Sequence, residues 1–134
     1  MIVFDANVLI AHLSDTDRHR DRAQSLLEAN NGESWGASAV TLAEVLVYPV
    51  RAGSLAEAEA ALVSLDVQEV PLGSGASGRL AEMRGQLGLK MPDCCVLLAA
   101  QNNEAALATF DARLISAAEN LGIAVVSGDP ERKG

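Results

Sequence analysis

Apolar residues run along the chain in short blocks, each cut off by a polar or turn-forming residue. Ile2, Val3 and Phe4 form a brief run of β-forming side chains that stops at Asp5. A helix is expected from about Asn7 to Leu13, followed by a polar break, Ser14-Asp15-Thr16-Asp17, suited to starting another. From His19 to Asn30 the spacing of Ala23, Leu26 and Leu27 predicts an amphipathic helix, stopped by Asn30-Asn31-Gly32. Trp35–Ser38 reads as a second strand and Thr41 to Val50 as a helix with Pro49 near its end. Ser54 to Leu65 reads as a helix with Ser54 as N-cap and Glu57 at the capping-box position.

The second half repeats this alternation. Val67–Leu72 reads as a strand, Gly73-Ser74-Gly75-Ala76 as a loop, and a helix then runs to about Leu87. Pro92 is expected to open a helix reaching Asn102, since proline is tolerated in a first turn. Ala106–Phe110 is a strand, Asp111 to Leu121 a helix ended by Gly122, and Ile123–Val126 the last strand, with a polar tail beyond it. Five short apolar strands alternating with helices predict an α/β fold: a five-stranded parallel sheet covered on both faces, a three-layer α/β/α domain. In such sheets ligands bind outside the carboxyl ends of the strands.

Composition narrows the picture. At 134 residues the chain suits one domain, 1–134. An apolar content of 49% is too high for a disordered chain. Acids interrupt every apolar run well before the roughly 20 residues a membrane span requires. Met1-Ile2-Val3-Phe4-Asp5 has no basic leader, so a cytoplasmic protein is expected. Cys94 and Cys95 are adjacent and are the only two cysteines. Adjacent cysteines rarely bridge, so both are read as reduced and structural, and no Cys/His zinc spacing exists with His12 and His19. A net charge of −8 argues against a basic nucleic-acid scaffold, but not against an enzyme that meets nucleic acid through metal ions.

Four acids stand alone in apolar segments. Asp5 is the one charged residue of MIVFDANVLIAHL, Glu44 of ASAVTLAEVLVYPV, Asp93 of MPDCCVLLAAQNN and Asp111 of AALATFDA. An ionised carboxylate in such surroundings is costly unless it is paired or metal-bound. Asp5 and Asp111 close strands, Asp93 lies in a helix first turn, and Glu44 is expected near a helix start. Those positions share one edge of an α/β sheet. Oxygen-only ligands select hard cations such as Mg²⁺ or Mn²⁺. Three of the acids also have a plain structural reading, Asp5 and Asp111 as helix caps and Asp93 as a first-turn acid facing the helix dipole, whereas Leu42, Val45, Leu46 and Val47 leave Glu44 little polar company.

The order of these pieces resembles the PIN-domain family, specifically the VapC-type toxins. The likeness runs from the apolar strand into Asp5-x-Asn7, through Ser38 to Leu46 with Glu44. It continues through Leu89-Lys90-Met91-Pro92-Asp93 with the small apolar helix behind it, to Ala108-Thr109-Phe110-Asp111 and the strand Ile123–Val126. The resemblance implies a Mg²⁺- or Mn²⁺-dependent endoribonuclease, a homodimeric toxin neutralised by a cognate antitoxin. It implies Asp5, Glu44, Asp93 and Asp111 as the metal-binding, catalytic quartet. Asn7 and Thr109 would orient ligands or phosphate, and the RNA product would carry 5′-phosphate and 3′-hydroxyl ends. Ala6 stands where a Ser or Thr is frequent in the family.

Other residues change the picture less. Arg18, His19, Arg20 and Arg22 are interleaved with Asp15, Asp17 and Asp21 and read as a solvated face, with His19 a weak candidate for a general base. Arg51, Arg79, Arg84 and Lys90 are candidates for substrate contact. Trp35 and Tyr48 could stack on bases, packing in the core or a dimer being the expected role. The competing functions are an aspartyl-nucleophile phosphatase or phosphotransferase, which would want a second acid where Asn7 stands, and a catalytically silent binding module.

Overall fold

The structure, a computed structural model, describes residues 1–128. Five strands alternate there with seven helices: β1 (Ile2–Phe4), α1 (Ala6–Leu13), α2 (Arg20–Ala29), β2 (Trp35–Ala37), α3 (Ala39–Ala52), α4 (Leu55–Ser64), β3 (Val67–Glu69), α5 (Ala76–Leu87), α6 (Met91–Asn102), β4 (Ala106–Ala108), α7 (Ala112–Asn120) and β5 (Val125–Val126). The strands pair in parallel in the order β3-β2-β1-β4-β5. Each parallel pair requires a crossover, and the helices supply it.

Side chains of β1 alternate between two cores, as a strand buried on both faces must. Ile2 and Phe4 pack with Val8, Leu9, Leu26, Val45 and Leu62 from α1 to α4. Val3 packs with Met83, Leu97, Leu98 and Leu114 from α5 to α7. This is the expected three-layer α/β/α arrangement. The chain starts in the middle, builds outward through β2 and β3, then returns to β4 on the other side of β1. The direction of winding therefore switches between β1 and β4, where a crevice opens at the strand carboxyl ends.

Most strands are shorter than their apolar runs, each for a local reason. Val70 N–H still bonds the Ala37 carbonyl, but Pro71 has no N–H to continue the ladder, so β3 ends before Leu72. Ser38 leaves β2 to cap α3, its Oγ accepting from Thr41 N–H, and α3 therefore starts at Ala39. Ile123 N–H is taken by the Ala118 carbonyl at the end of α7, which delays β5 to Val125. Helix α3 continues past Pro49 to Ala52 and stops at Gly53, whose φ of 74° is the left-handed turn that glycine accepts. Glu44 is consequently the sixth residue of α3, in its second turn, not near its start.

The expected cap of α4 does not form. Ser54 precedes the helix, but its N–H closes the end of α3 on the Pro49 carbonyl, and its backbone is not extended as an N-cap requires. Pro92 sits second in α6, after Met91, with Lys90 before the helix. Among the described residues no helix is long and apolar enough to cross a membrane. The polar tail beyond Gly128 lies outside the described residues.

Candidate metal centre

Asp5 follows β1 directly and caps α1. Its Oδ1 accepts from Ala6 N–H at 2.8 Å and its Oδ2 from the Thr109 hydroxyl at 2.7 Å, and only 8% of the residue is exposed. Thr109 lies just past β4, fully buried, and its Oγ1 also accepts from Asp111 N–H at 3.1 Å. One hydroxyl thus ties the acid after β1 to the acid after β4. Asn7 acts one step further out, its Oδ1 accepting from Phe110 N–H at 3.4 Å and bracing the turn that carries Asp111. Asp111 caps α7, its Oδ1 accepting from the N–H groups of Arg113 (2.9 Å) and Leu114 (3.4 Å). The capping readings of Asp5 and Asp111 are therefore correct, and they coexist with convergence.

Glu44 and Asp93 complete the group from two helices. Together with Asp111 they line a cavity of about 310 Å³, whose wall also holds Leu89, Lys90, Pro92 and Arg113. Asp5 is not among the lining residues, but it is close enough to Asp93 and Asp111 to feel both charges. No ion pair within 4 Å reaches any of the four acids among the described residues; Arg20 pairs with Asp15 and the N-terminus with Glu33.

Electrostatics follow from that placement. Burial pushes the Asp5 carboxyl up to about 6, its hydrogen bonds to Thr109 and Ala6 pull it down, and Asp93 and Asp111 push it up again. Asp93 is raised by burial and then by Asp111, with Lys90 and Arg113 opposing. Glu44 is raised by partial burial and then by Asp93. Three of the four acids thus hold their negative charge against resistance, and a cation would relieve it.

The donor set fits a hard divalent ion: four carboxylates, with Cys94 and Cys95 buried and unbridged behind them. The ring is open. Among the described residues no three His, Cys, Asp or Glu side chains are gathered tightly enough to hold one ion as they stand.

The other candidates lie elsewhere. His19 packs on the Phe110 ring, its Nε2 accepts from Arg18, and it is not among the residues that line the carboxylate cavity. The face expected to be solvated is partly tied down: Arg20 bonds Asp15, and Arg22 lies over Phe110 and donates to the Ser127 carbonyl. Arg79 bonds Gln101 and Arg84 the Leu89 carbonyl. Trp35 stacks on Phe4 in the core, whereas Tyr48 is 76% exposed and packs in no core. Arg113 belongs to the cavity and sequence reasoning missed it. Its signal was its place in the first turn after Asp111, which aims it back at the strand end.

Comparison with known proteins agrees with the fold. The family description "PIN domain" matches residues 2–130. No curated protein matches the chain. Among solved structures, a chain of a toxin–antitoxin complex from Klebsiella pneumoniae superposes with a TM-score of 0.75 at 22% identity, over 96% of this chain and 98% of that one. A chain of FitAcB from Neisseria gonorrhoeae gives 0.72 at 20% identity, over 96% and 98%. A chain of VapBC2 from Rickettsia felis, bound to a DNA fragment from its promoter, gives 0.70 at 16% identity, over 93% and 97%.

Proposed function

The chain belongs to the PIN domain family, and on that premise we propose that it is a Mg²⁺- or Mn²⁺-dependent endoribonuclease, the VapC-type toxin of a type II toxin–antitoxin pair. The observation that carries this reading is the meeting of Asp5, Glu44, Asp93 and Asp111 near the β1/β4 switch point with no ion pair among the described residues to balance them. Asp5 and Asp93 are the principal ligands in this reading, and Glu44 and Asp111 complete the set directly or through water. A divalent ion in this ring supplies Lewis acidity toward a phosphoryl oxygen and toward water. The protein's own part is positional. Thr109 fixes the orientation of the Asp5 carboxylate, and Asn7 holds the turn that presents Asp111. Hydrolysis adds water to phosphorus and releases the 3′ oxygen, leaving 5′-phosphate and 3′-hydroxyl ends.

An aspartyl nucleophile would want a second acid where Asn7 stands, and Asn7 instead accepts from Phe110 N–H. Toxin–antitoxin complexes among the structural neighbours support a cognate antitoxin as partner. The uncovered apolar side chains Val47, Tyr48, Val50 and Val63 on α3 and α4 supply surface for that antitoxin and for a second copy in a homodimer.

The test is cleavage of total RNA by the purified protein in Mg²⁺ or Mn²⁺ and in EDTA. Cleavage is expected only with metal and is expected to vanish in Asp93→Asn while the fold persists. Undiminished cleavage in EDTA, or by Asp93→Asn, would refute the assignment. Expression without the antitoxin should arrest growth, and Asp5→Ala should relieve the arrest.

A further inference from the structure

The carboxylate cleft repels the polyanion it is proposed to cut, so something on its rim must attract phosphate. Helix N-termini often do so through their free N–H groups, and α6 and α7 both begin here. Both starts are compromised. Pro92 removes one first-turn N–H of α6, and the Asp111 carboxylate occupies the N–H groups of Arg113 and Leu114 in α7 while adding negative charge. The main chain is thus a poor phosphate cradle, and the task falls to side chains.

Among the described residues, only some basic side chains are placed to take it. Arg20 is paired with Asp15, Arg22 lies over Phe110, Arg79 and Arg84 are bonded on the α5 side, and Arg51 lies at the end of α3 beside Val47, Val50 and Leu55. Lys90 and Arg113 are different. They line the cavity with Glu44, Asp93 and Asp111, are exposed, and make no ion pair within 4 Å among the described residues. Lys90 immediately precedes α6 and Arg113 lies in the first turn of α7, so they approach Asp93 from two separate segments.

We propose that Lys90 and Arg113 form a phosphate-holding pair that seats an RNA phosphodiester against the carboxylate ring. They are positioning residues, and the proposal rests on the nuclease reading above. Arg113 presents a planar fork suited to two phosphate oxygens, whereas Lys90 acts as a mobile point charge. A pair of cations so close to Asp93 has a second consequence: they oppose a metal ion entering the same ring. Neutralising either should therefore move two affinities in opposite directions, which a merely structural role would not do.

The experiment measures both on the whole protein. Mn²⁺ alone is titrated calorimetrically into the metal-free wild type, Lys90→Gln, Arg113→Gln and Arg113→Lys. A fluorescent single-stranded RNA oligonucleotide is then titrated in Ca²⁺ across a range of salt. Both Gln variants are expected to bind Mn²⁺ several-fold tighter and RNA roughly tenfold weaker. The slope of log affinity against log salt should fall by about 0.7 for each lost contact. Arg113→Lys should keep the wild-type slope, and Arg51→Gln, away from the cleft, should match wild type in both titrations. Gln variants that bind RNA with wild-type affinity and slope, in a protein that does bind Mn²⁺ and RNA, would overturn the pair and leave the nuclease reading standing. A wild type that binds neither would overturn both.

Discussion

Helix α6 buries seven consecutive residues, Cys94 to Ala100, whereas α3 buries only Thr41 and Val45 and leaves Val40, Val47, Tyr48 and Val50 between 38% and 76% exposed. The two helices read alike as apolar segments carrying one acid each. They differ in what they lie on. Helix α6 rests on β1 and β4, between α5 and α3, so every face of it meets protein. The main contacts of α3 are with α1, α4 and α6, and its outer face has no sheet to cover it. Uniform hydrophobicity therefore has two meanings here: a central core helix, and a helix with an exposed apolar face. Both nevertheless bring an acid, Asp93 and Glu44, to the same cleft.

The largest effect that can test this contrast is a cavity in α6. Leu97→Ala, at a site with no exposure, should cost about 2 to 5 kcal/mol of unfolding free energy in denaturant titrations. Val50→Ala on the open face of α3 should stay within about 0.5 kcal/mol. Equal costs at the two sites would break the comparison.

Next comes the charge that both helices approach. The folded Asp5 carboxyl titrates near 6, above its ordinary 3.8. Unfolded chains release this proton first, so the metal-free protein loses stability as pH rises from about 4 through 6, then levels off. Glu44 and Asp93 shift in the same direction and add to the trend. Asp5→Asn should remove most of that loss, raising stability at pH 7 in EDTA by up to about 3 kcal/mol. Melting temperatures that climb between pH 4 and 6 in EDTA would contradict the sign.

Metal sharpens the comparison between the two helix acids. Asp93 interacts with Asp5, Glu44 and Asp111, whereas Glu44 is coupled to Asp93. At a Mn²⁺ concentration near 100 times its dissociation constant, the wild type should gain about 2.7 kcal/mol. Asp93→Asn should abolish the gain, and Glu44→Gln should reduce it. The reverse ranking in thermal melts would make α3 the principal support of the site. The smallest change is expected from Tyr48→Ala, within about 0.5 kcal/mol for the free chain, but with weakened binding of the antitoxin in a pull-down of the purified pair.

Strand and helix order, the parallel sheet and the isolation of the four acids were all legible in the residues. Short β-branched runs and capping residues act locally, and a lone carboxylate in an apolar segment is visible without coordinates. Boundaries were less legible where two elements claim one residue, as Ser38 leaves β2 to cap α3 and Ile123 closes α7. Glu44 was misplaced within its helix for that reason. Arg113 was harder to single out: its place just after Asp111 puts it in the first turn of α7, but only the fold brings that turn to the cleft.

The sequence by itself determined the kinds of element, their alternation, and the four segments able to contribute a carboxylate, because those depend on neighbours a few residues apart. Only the tertiary structure decided that Thr109 joins Asp5 to Asp111, that Lys90 and Arg113 flank Asp93, and that α3 keeps an uncovered face. The physical reason is strand order. The switch between β1 and β4 places residue 5 beside residue 109, and no periodicity in the chain encodes which strand lies next to which.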